Sequence, residues 1–289
     1  MNKTDIDLFN NIKKLKKDNN ANNKIRENII YNIIKKTIPD EWYKEEKEWN
    51  ELKTKLYEII TSISSNIKYD NIDIELKGGR KFNYDFELIY MVENIIINKK
   101  FIEFKYNTCR IDKYPQFLSI SANKFIKTID YAEYFYDNYI IELSKLININ
   151  VPNKIDYLKY VYNNDYSKLQ LFTELKEKEH LIIKEKKTIV SLSIKKYLND
   201  IVVLDIDTIN KTFAEKQLNK DYLLFHKNKF YHDTIRKEEL EIIGIEKIKN
   251  NNTLILNTKT NTKIAMLLRW KNHIGILYPA WQISLIRYK

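Results

Sequence analysis

Glycine and proline are nearly missing from this chain. Four of each occur in 289 residues, which leaves no glycine-rich phosphate loop or dinucleotide fingerprint and argues against long flexible linkers. Cysteine is scarcer still. The single Cys109 excludes a disulfide framework and a cysteine-based zinc site, and it fits a reducing compartment. The four histidines, His180, His226, His232 and His273, are not at metal-ligand spacing from one another, so a histidine-based nuclease centre is unsupported. His226 and His232 read as surface residues beside a turn. No apolar run approaches the roughly 20 residues of a membrane-spanning helix. The opening Met1-Asn2-Lys3-Thr4-Asp5-Ile6-Asp7 lacks the apolar segment of a secretory signal. The expectation is a soluble protein of the cytoplasm, with no membrane partner.

Charge is abundant. Fifty Lys and Arg against 39 Asp and Glu leave a net charge of +11. That balance points to an anionic partner, with DNA the first candidate. Asn, Lys, Ile and Tyr also crowd the chain, as AT-rich microbial or viral coding sequence favours, and on that reading some lysines only solubilise. The length is enough to bury a core as one large domain or two smaller ones.

Residues 5–36 read as helical, with a break over Asp18–Asn23. Asp40 is a candidate cap for a helix to about Ile63, whose apolar stripe is Trp42, Trp49, Leu52, Leu56, Ile59, Ile60 and Ile63. Strands follow at 72–77, 82–90 and 100–106, the first two joined by a Gly78-Gly79 turn. Helices return at 116–127 and 130–147. Pro152 marks a change of character: residues 154–185 read as a charged helical stretch, and the chain turns strand-rich from about 188, where Ile201–Leu204 is a short apolar run. Asp221–His226 and Lys229–His232 flank Lys227-Asn228 as a hairpin. Further strands are expected at 242–248, 253–258, 262–270 and 274–278, with turns at Asn250–Asn252 and Asn272-His273. The expected division is residues 1–150, N-terminal helices plus a catalytic core, and residues 151–289, a helical connector plus a β-rich recognition region.

Phe82–Leu88 and Lys100–Tyr106 alternate polar and apolar residues. Strand side chains alternate between faces, so Asp85 shares a face with Glu87 and Glu103 with Lys105, while Phe86 and Phe104 point into a core. Two such strands side by side gather carboxylates and a lysine, a set that can hold a divalent cation and act on a phosphate. The competing reading is a set of solvated surface pairs in a chain that is 31% charged.

Asp85, 17 intervening residues and then Glu103-Phe104-Lys105 stand in the order helix, strand, glycine turn, Asp strand, Glu-x-Lys strand, helix. This arrangement, over roughly residues 40–147, resembles the PD-(D/E)XK nuclease superfamily, which includes most type II restriction endonucleases. Tyr84 stands where the family has proline. The resemblance implies an α/β (α+β) fold, a restriction-endonuclease-like mixed sheet flanked by helices, here followed by a β-rich C-terminal region. It implies Mg²⁺, with Mn²⁺ able to substitute, held by Asp85, Glu103 and the main-chain carbonyl of Phe104. Lys105 would stand beside the scissile phosphate and orient or help deprotonate the attacking water, in an in-line hydrolysis without a covalent intermediate. Gln116, at the start of the following helix, would touch the site. Glu51 or Glu58 could add an acidic group, and Glu87 could lie beside the metal or beyond it. Arg80 and Lys81 would contact phosphate. In the C-terminal region, Arg269 and Gln282 are suited to base edges or phosphate, while Trp270 and Trp281 read as core. Asp112 and Lys113 are a second place where bases could be read. The expected function is metal-dependent hydrolysis of DNA phosphodiester bonds, most like a type II restriction endonuclease, homodimeric if both strands are cut. The alternatives are a structure-specific or repair nuclease on the same fold and a non-catalytic basic nucleic-acid-binding protein.

Overall fold

The computed structural model describes residues 1–10, 19–79, 82–163, 165–217, 219–271 and 276–288. The first half of the chain forms α1 (Asp7–Asn10), α2 (Asn19–Ile34), α3 (Asp40–Glu45), α4 (Lys47–Ile63), β1 (Asn71–Leu76), β2 (Phe86–Val92), β3 (Ile95–Tyr106), β4 (Leu118–Ser121) and α5 (Tyr131–Leu146). The second half forms α6 (Lys154–Val161), α7 (Gln170–Lys196), α8 (Ile206–Gln217), β5 (Lys220–His226), β6 (Lys229–Thr234), β7 (Ile242–Lys249), β8 (Thr253–Thr258), β9 (Thr262–Trp270) and β10 (Pro279–Arg287). The fold is mixed α/β, with eight α-helices and two five-stranded sheets among the described residues and a β-rich C-terminal region. No helix among these residues is long and apolar enough to cross a membrane.

Two compact units interleave along the chain. One holds Met1–Tyr114 and Lys216–Ile235, the other Pro115–Glu215 and Arg236–Lys289. Pro152 therefore lies inside the second unit, where its carbonyl accepts a hydrogen bond from the Tyr136 hydroxyl at 2.6 Å.

The first unit is built on a sheet of order β1-β2-β3-β5-β6. The first three strands are an antiparallel meander, β5 runs parallel to β3, and β6 returns as a hairpin. Ile29, Ile30, Ile33 and Ile34 of α2 and Trp49, Leu52, Leu56, Ile60 and Ile63 of α4 cover one sheet face, meeting Phe86, Leu88, Tyr90, Ile102, Phe104, Leu223 and Phe225. The period of two puts Ile102 and Phe104 in this core and turns Glu103 and Lys105 the other way. Central β5 is buried from Lys220 to Phe225, which explains its unbroken Tyr-Leu-Leu-Phe run. Scarce glycine shapes the turns. Among the described residues, seven of the twelve non-glycine residues at positive φ are Asn, including Asn94 and Asn228 in two-residue hairpin turns, because Asn tolerates the left-handed region better than other side chains.

The second unit carries an antiparallel sheet of order β4-β10-β9-β8-β7. Trp281 is fully buried and Trp270 nearly so. The Trp270 indole donates to the Tyr131 hydroxyl at 3.3 Å, and that hydroxyl meets Ser193 at 2.7 Å.

Several elements differ from expectation. The helix expected at 116–127 is replaced by β4, because Leu118 to Ser121 pair with β10 from Ile283 to Ala280. The strand-rich character expected from 188 begins instead at Lys220. Ile182, Ile189, Ser193 and Ile194 give α7 a buried face to its end, and the apolar 201–204 run contributes a single bridge, Leu204 to Ile126. The helix expected from Asp40 is interrupted at Glu46, whose backbone is extended, and Pro39 rather than Asp40 holds the cap position. Asn19–Asn23, expected within a break, open α2. The last strand is Pro279–Arg287 and not 274–278; residues 272–275 lie outside the described ones.

Candidate active site

Asp85 occupies a bend immediately before β2. Its amide donates to the Ile102 carbonyl and its carbonyl accepts from Lys77, each within 2.9 Å. These bonds clamp it between β1 and β3. Its Oδ2 accepts from the Phe104 amide at 2.9 Å, so the carboxylate is pinned to the backbone of the Glu-x-Lys strand. Glu103 and Lys105 project from β3 and form an ion pair with each other. Asp85, Glu103 and Lys105 are thus brought together by two adjoining segments of one sheet.

Two further groups join them that the sequence pattern does not single out. Lys220, the first residue of β5, has a side chain 2% exposed and forms an ion pair with Glu103 Oε2. Glu27 of α2 is buried, pairs with Lys24 at 2.5 Å and interacts with the Asp85 carboxylate. Glu51 and Glu58, the acidic residues expected to assist, do not take this place: Glu51 is held by Lys47 and Lys55 of its own helix, and Glu58 is exposed.

The electrostatics follow from burial. Burial, and then the neighbouring Glu103 charge, push the Asp85 carboxyl above the usual carboxylate range, and the Phe104 amide offsets part of this. Burial and then Asp85 raise Glu27. Burial alone would lower Lys105, but the Glu103 carboxylate outweighs it and holds the ammonium above its ordinary value. Lys220 is lowered, chiefly by burial, despite the same carboxylate. Desolvation and nearby charge act here in opposite directions on neighbouring groups.

Glu87 does not join Asp85. Because β2 starts at Phe86, the alternation is broken at Asp85, and Glu87 pairs instead with Lys99 at 2.5 Å and Lys77 at 3.3 Å. Gln116 lies in the second unit, on the approach to β4, and opens no helix. Arg80 and Lys81 lie outside the described residues. Arg269 and Gln282, on β9 and β10 of the second unit, bond to each other: Arg269 Nη1 donates to Gln282 Oε1 at 2.9 Å, and Gln282 Nε2 donates to the Pro115 carbonyl at 2.9 Å. Arg269 also lines an open groove of about 610 Å³ with Lys186, Lys187, Asn250 and Asn252. Of the histidines, His232 is exposed beside the hairpin, as expected, and its Nε2 lies 2.6 Å from buried Asp221.

Gly78 closes the site from the β1 side. Its φ is +71°, and a Cβ there would lie 3.2 Å from Lys24 Nζ and 3.8 Å from Asp85 Oδ1. Gly78→Ala is expected to destabilise the first unit by about 1–2 kcal/mol through the left-handed backbone alone. A thermal melt followed by circular dichroism reads the effect, and an unchanged midpoint would remove the strain argument.

Among the described residues no group of three His, Cys, Asp or Glu side chains stands at metal-holding spacing. Mg²⁺ needs fewer protein ligands, binding through one or two carboxylates plus waters and substrate phosphate. Asp85 and Glu103 suit it: both are hard oxygen donors, and their charges repel in a buried setting. No protein-family model, curated protein or solved structure matches this chain.

Proposed function

We propose that this protein is a metal-dependent endonuclease that hydrolyses DNA phosphodiester bonds, most like a type II restriction endonuclease. The observation that carries the reading is the convergence of Asp85, Glu103 and Lys105 where β2 begins beside β3, with the Asp85 carboxylate fixed by the Phe104 amide. Asp85 and Glu103 would hold Mg²⁺ or Mn²⁺, helped by the Phe104 carbonyl. When bound, such an ion lowers the pKa of a water and neutralises charge on the phosphate oxygens. Lys105 supplies a fixed positive charge for the phosphate and a donor that orients the attacking water. Its raised pKa favours this role over that of a proton acceptor. The net charge of +11 supports a polyanionic substrate, and Arg269 and Gln282 are the residues proposed for nucleic-acid contact in the second unit. Cutting both strands would call for a homodimer. The lone Cys109 is in keeping with a reducing cytoplasm.

Genomic DNA offers every short sequence, so it tests the activity whatever the recognition site. The purified protein is expected to fragment it in Mg²⁺ or Mn²⁺ and to leave it intact in EDTA. Binding of the uncut DNA should weaken steeply with added salt, because each neutralised phosphate releases counterions. Intact DNA in both metals, or equal cutting in EDTA, would overturn the proposal.

A further inference from the structure

The carboxylates of the candidate site are already matched by ammonium groups. Glu103 has Lys105 and Lys220 against it, and Glu27 has Lys24. Asp85 feels the charges of Lys105 and Lys24, and Lys220 in turn feels Asp85. Three carboxyl groups, those of Glu27, Asp85 and Glu103, thus share one network with three lysines. Lys220 is the innermost of the lysines, its side chain 2% exposed against 14% for Lys105 and 60% for Lys24. A buried lysine is costly unless an opposite charge accompanies it, and here that charge is Glu103 Oε2. The fold fixes the partnership, because β5 lies parallel to β3 with Lys220 opposite Phe101, two residues before Glu103.

Resting on the nuclease reading above, we propose that Lys220 is a positioning residue that occupies Glu103 Oε2 in the metal-free protein, so that a divalent cation loads fully only together with an anionic phosphodiester. A divalent cation entering a balanced, buried set leaves two uncompensated positive charges. A phosphodiester supplies negative charge and gives the displaced Lys220 ammonium a new partner. Cation and DNA then bind cooperatively, and by linkage each must tighten the other equally.

The test begins with Mn²⁺ alone, titrated into full-length protein and followed by the electron paramagnetic resonance signal of the free ion. Wild type should bind weakly. Lys220→Met should bind at least about tenfold more tightly, since one competing charge has gone from a low-dielectric site. Lys220→Arg, which keeps the charge, should return to wild-type affinity, a rescue that a purely structural role would not give. Adding Asp85→Asn to Lys220→Met should remove the gain. A second measurement uses wild type only and so does not depend on the variant folding: affinity for a DNA fragment that the protein cuts in Mg²⁺, measured in Ca²⁺ and in EDTA at equal ionic strength, should differ at least about tenfold. If Lys220→Met binds Mn²⁺ no more tightly than wild type, or if Ca²⁺ leaves wild-type DNA affinity unchanged, the inference fails while metal-dependent cutting still stands. If no DNA is cut in any metal, the nuclease reading itself fails.

Discussion

Glu103→Gln protein should cut DNA at least about a thousandfold more slowly than wild type, and Lys105→Met at least about a hundredfold more slowly, losses of the size seen when a group that stabilises transition-state charge is deleted. The two substitutions remove different functions. Glutamine keeps the size of Glu103 but loses the charge that a hard cation requires, and it leaves Lys105 and Lys220 facing each other without their shared carboxylate. Methionine keeps most of the Lys105 stem and removes only the ammonium. Glu87→Gln is the matched control. It lies one strand away and is also set among lysines, its side chain 7% exposed against 13% for Glu103, but its partners are Lys77 and Lys99, so its cutting rate should stay within about threefold of wild type, as expected away from transition-state contacts. Rates should be taken per folded protein from single-turnover digestion, because Glu103→Gln also strands a buried ammonium. A Glu103→Gln enzyme that cuts at the wild-type rate would sink the assignment.

The sequence reveals the residues that act through a short-range period and hides those that depend on distant pairing. Glu103 and Lys105 can be read as neighbours because strand alternation acts over two residues, and Phe104 can be read as core for the same reason. Asp85 is legible as well, but its expected grouping with Glu87 does not hold. Alternation requires both residues inside the strand, and the bend at Asp85 re-aims its side chain toward the Phe104 amide. Lys220 and Glu27 are out of reach. Lys220 meets Glu103 only through the parallel β3–β5 pairing, which the Pro115–Glu215 excursion through the second unit precedes, and nothing in Asn219-Lys220-Asp221 announces it. Glu27 sits on a helix whose apolar and polar faces are weakly separated, so its burial leaves no local trace. The hairpin at Lys227-Asn228 is legible from turn chemistry, since Asn takes the positive φ that glycine would otherwise supply. β4 escapes a local reading because Leu118–Ser121 is four residues long and gains its strand character from β10, far along the chain. Local preference decides little for so short a segment against a ladder of backbone hydrogen bonds.

Arg287→Met should cost the second unit about 3 kcal/mol at neutral pH, because it takes the close counter-charge from a buried carboxylate and leaves it only the exposed Arg236 guanidinium, 3.5 Å away. The carboxylate is that of Glu239, whose side chain is 3% exposed. Arg287 grips it with both ends of its fork, Nε to Oε1 at 2.7 Å and Nη2 to Oε2 at 3.2 Å, and the Arg236 amide adds a third bond to Oε2 at 2.9 Å. Burial alone would raise this carboxyl, but the Arg287 donors and the Arg236 amide outweigh it and hold the group below the usual carboxylate range. The sign of the pH dependence follows. A carboxyl with a depressed folded-state pKa binds its proton more readily in the unfolded chain. Its stabilising contribution is therefore complete above the unfolded value, about 4.3, and is lost as pH falls from there through the folded value. Wild type should thus lose stability on acidification below about pH 5, and Glu239→Gln should show a shallower loss over the same window. The deficit of Arg287→Met should shrink there as well, since a protonated Glu239 is far cheaper to bury than a charged one. Urea unfolding at pH 7 and near pH 4, followed by tryptophan fluorescence, reads both effects, because Trp270 and Trp281 lie in the same unit. A deficit for Arg287→Met that grows toward acid pH would reverse the sign and rule out the Arg287 grip as the cause of the depressed Glu239 carboxyl.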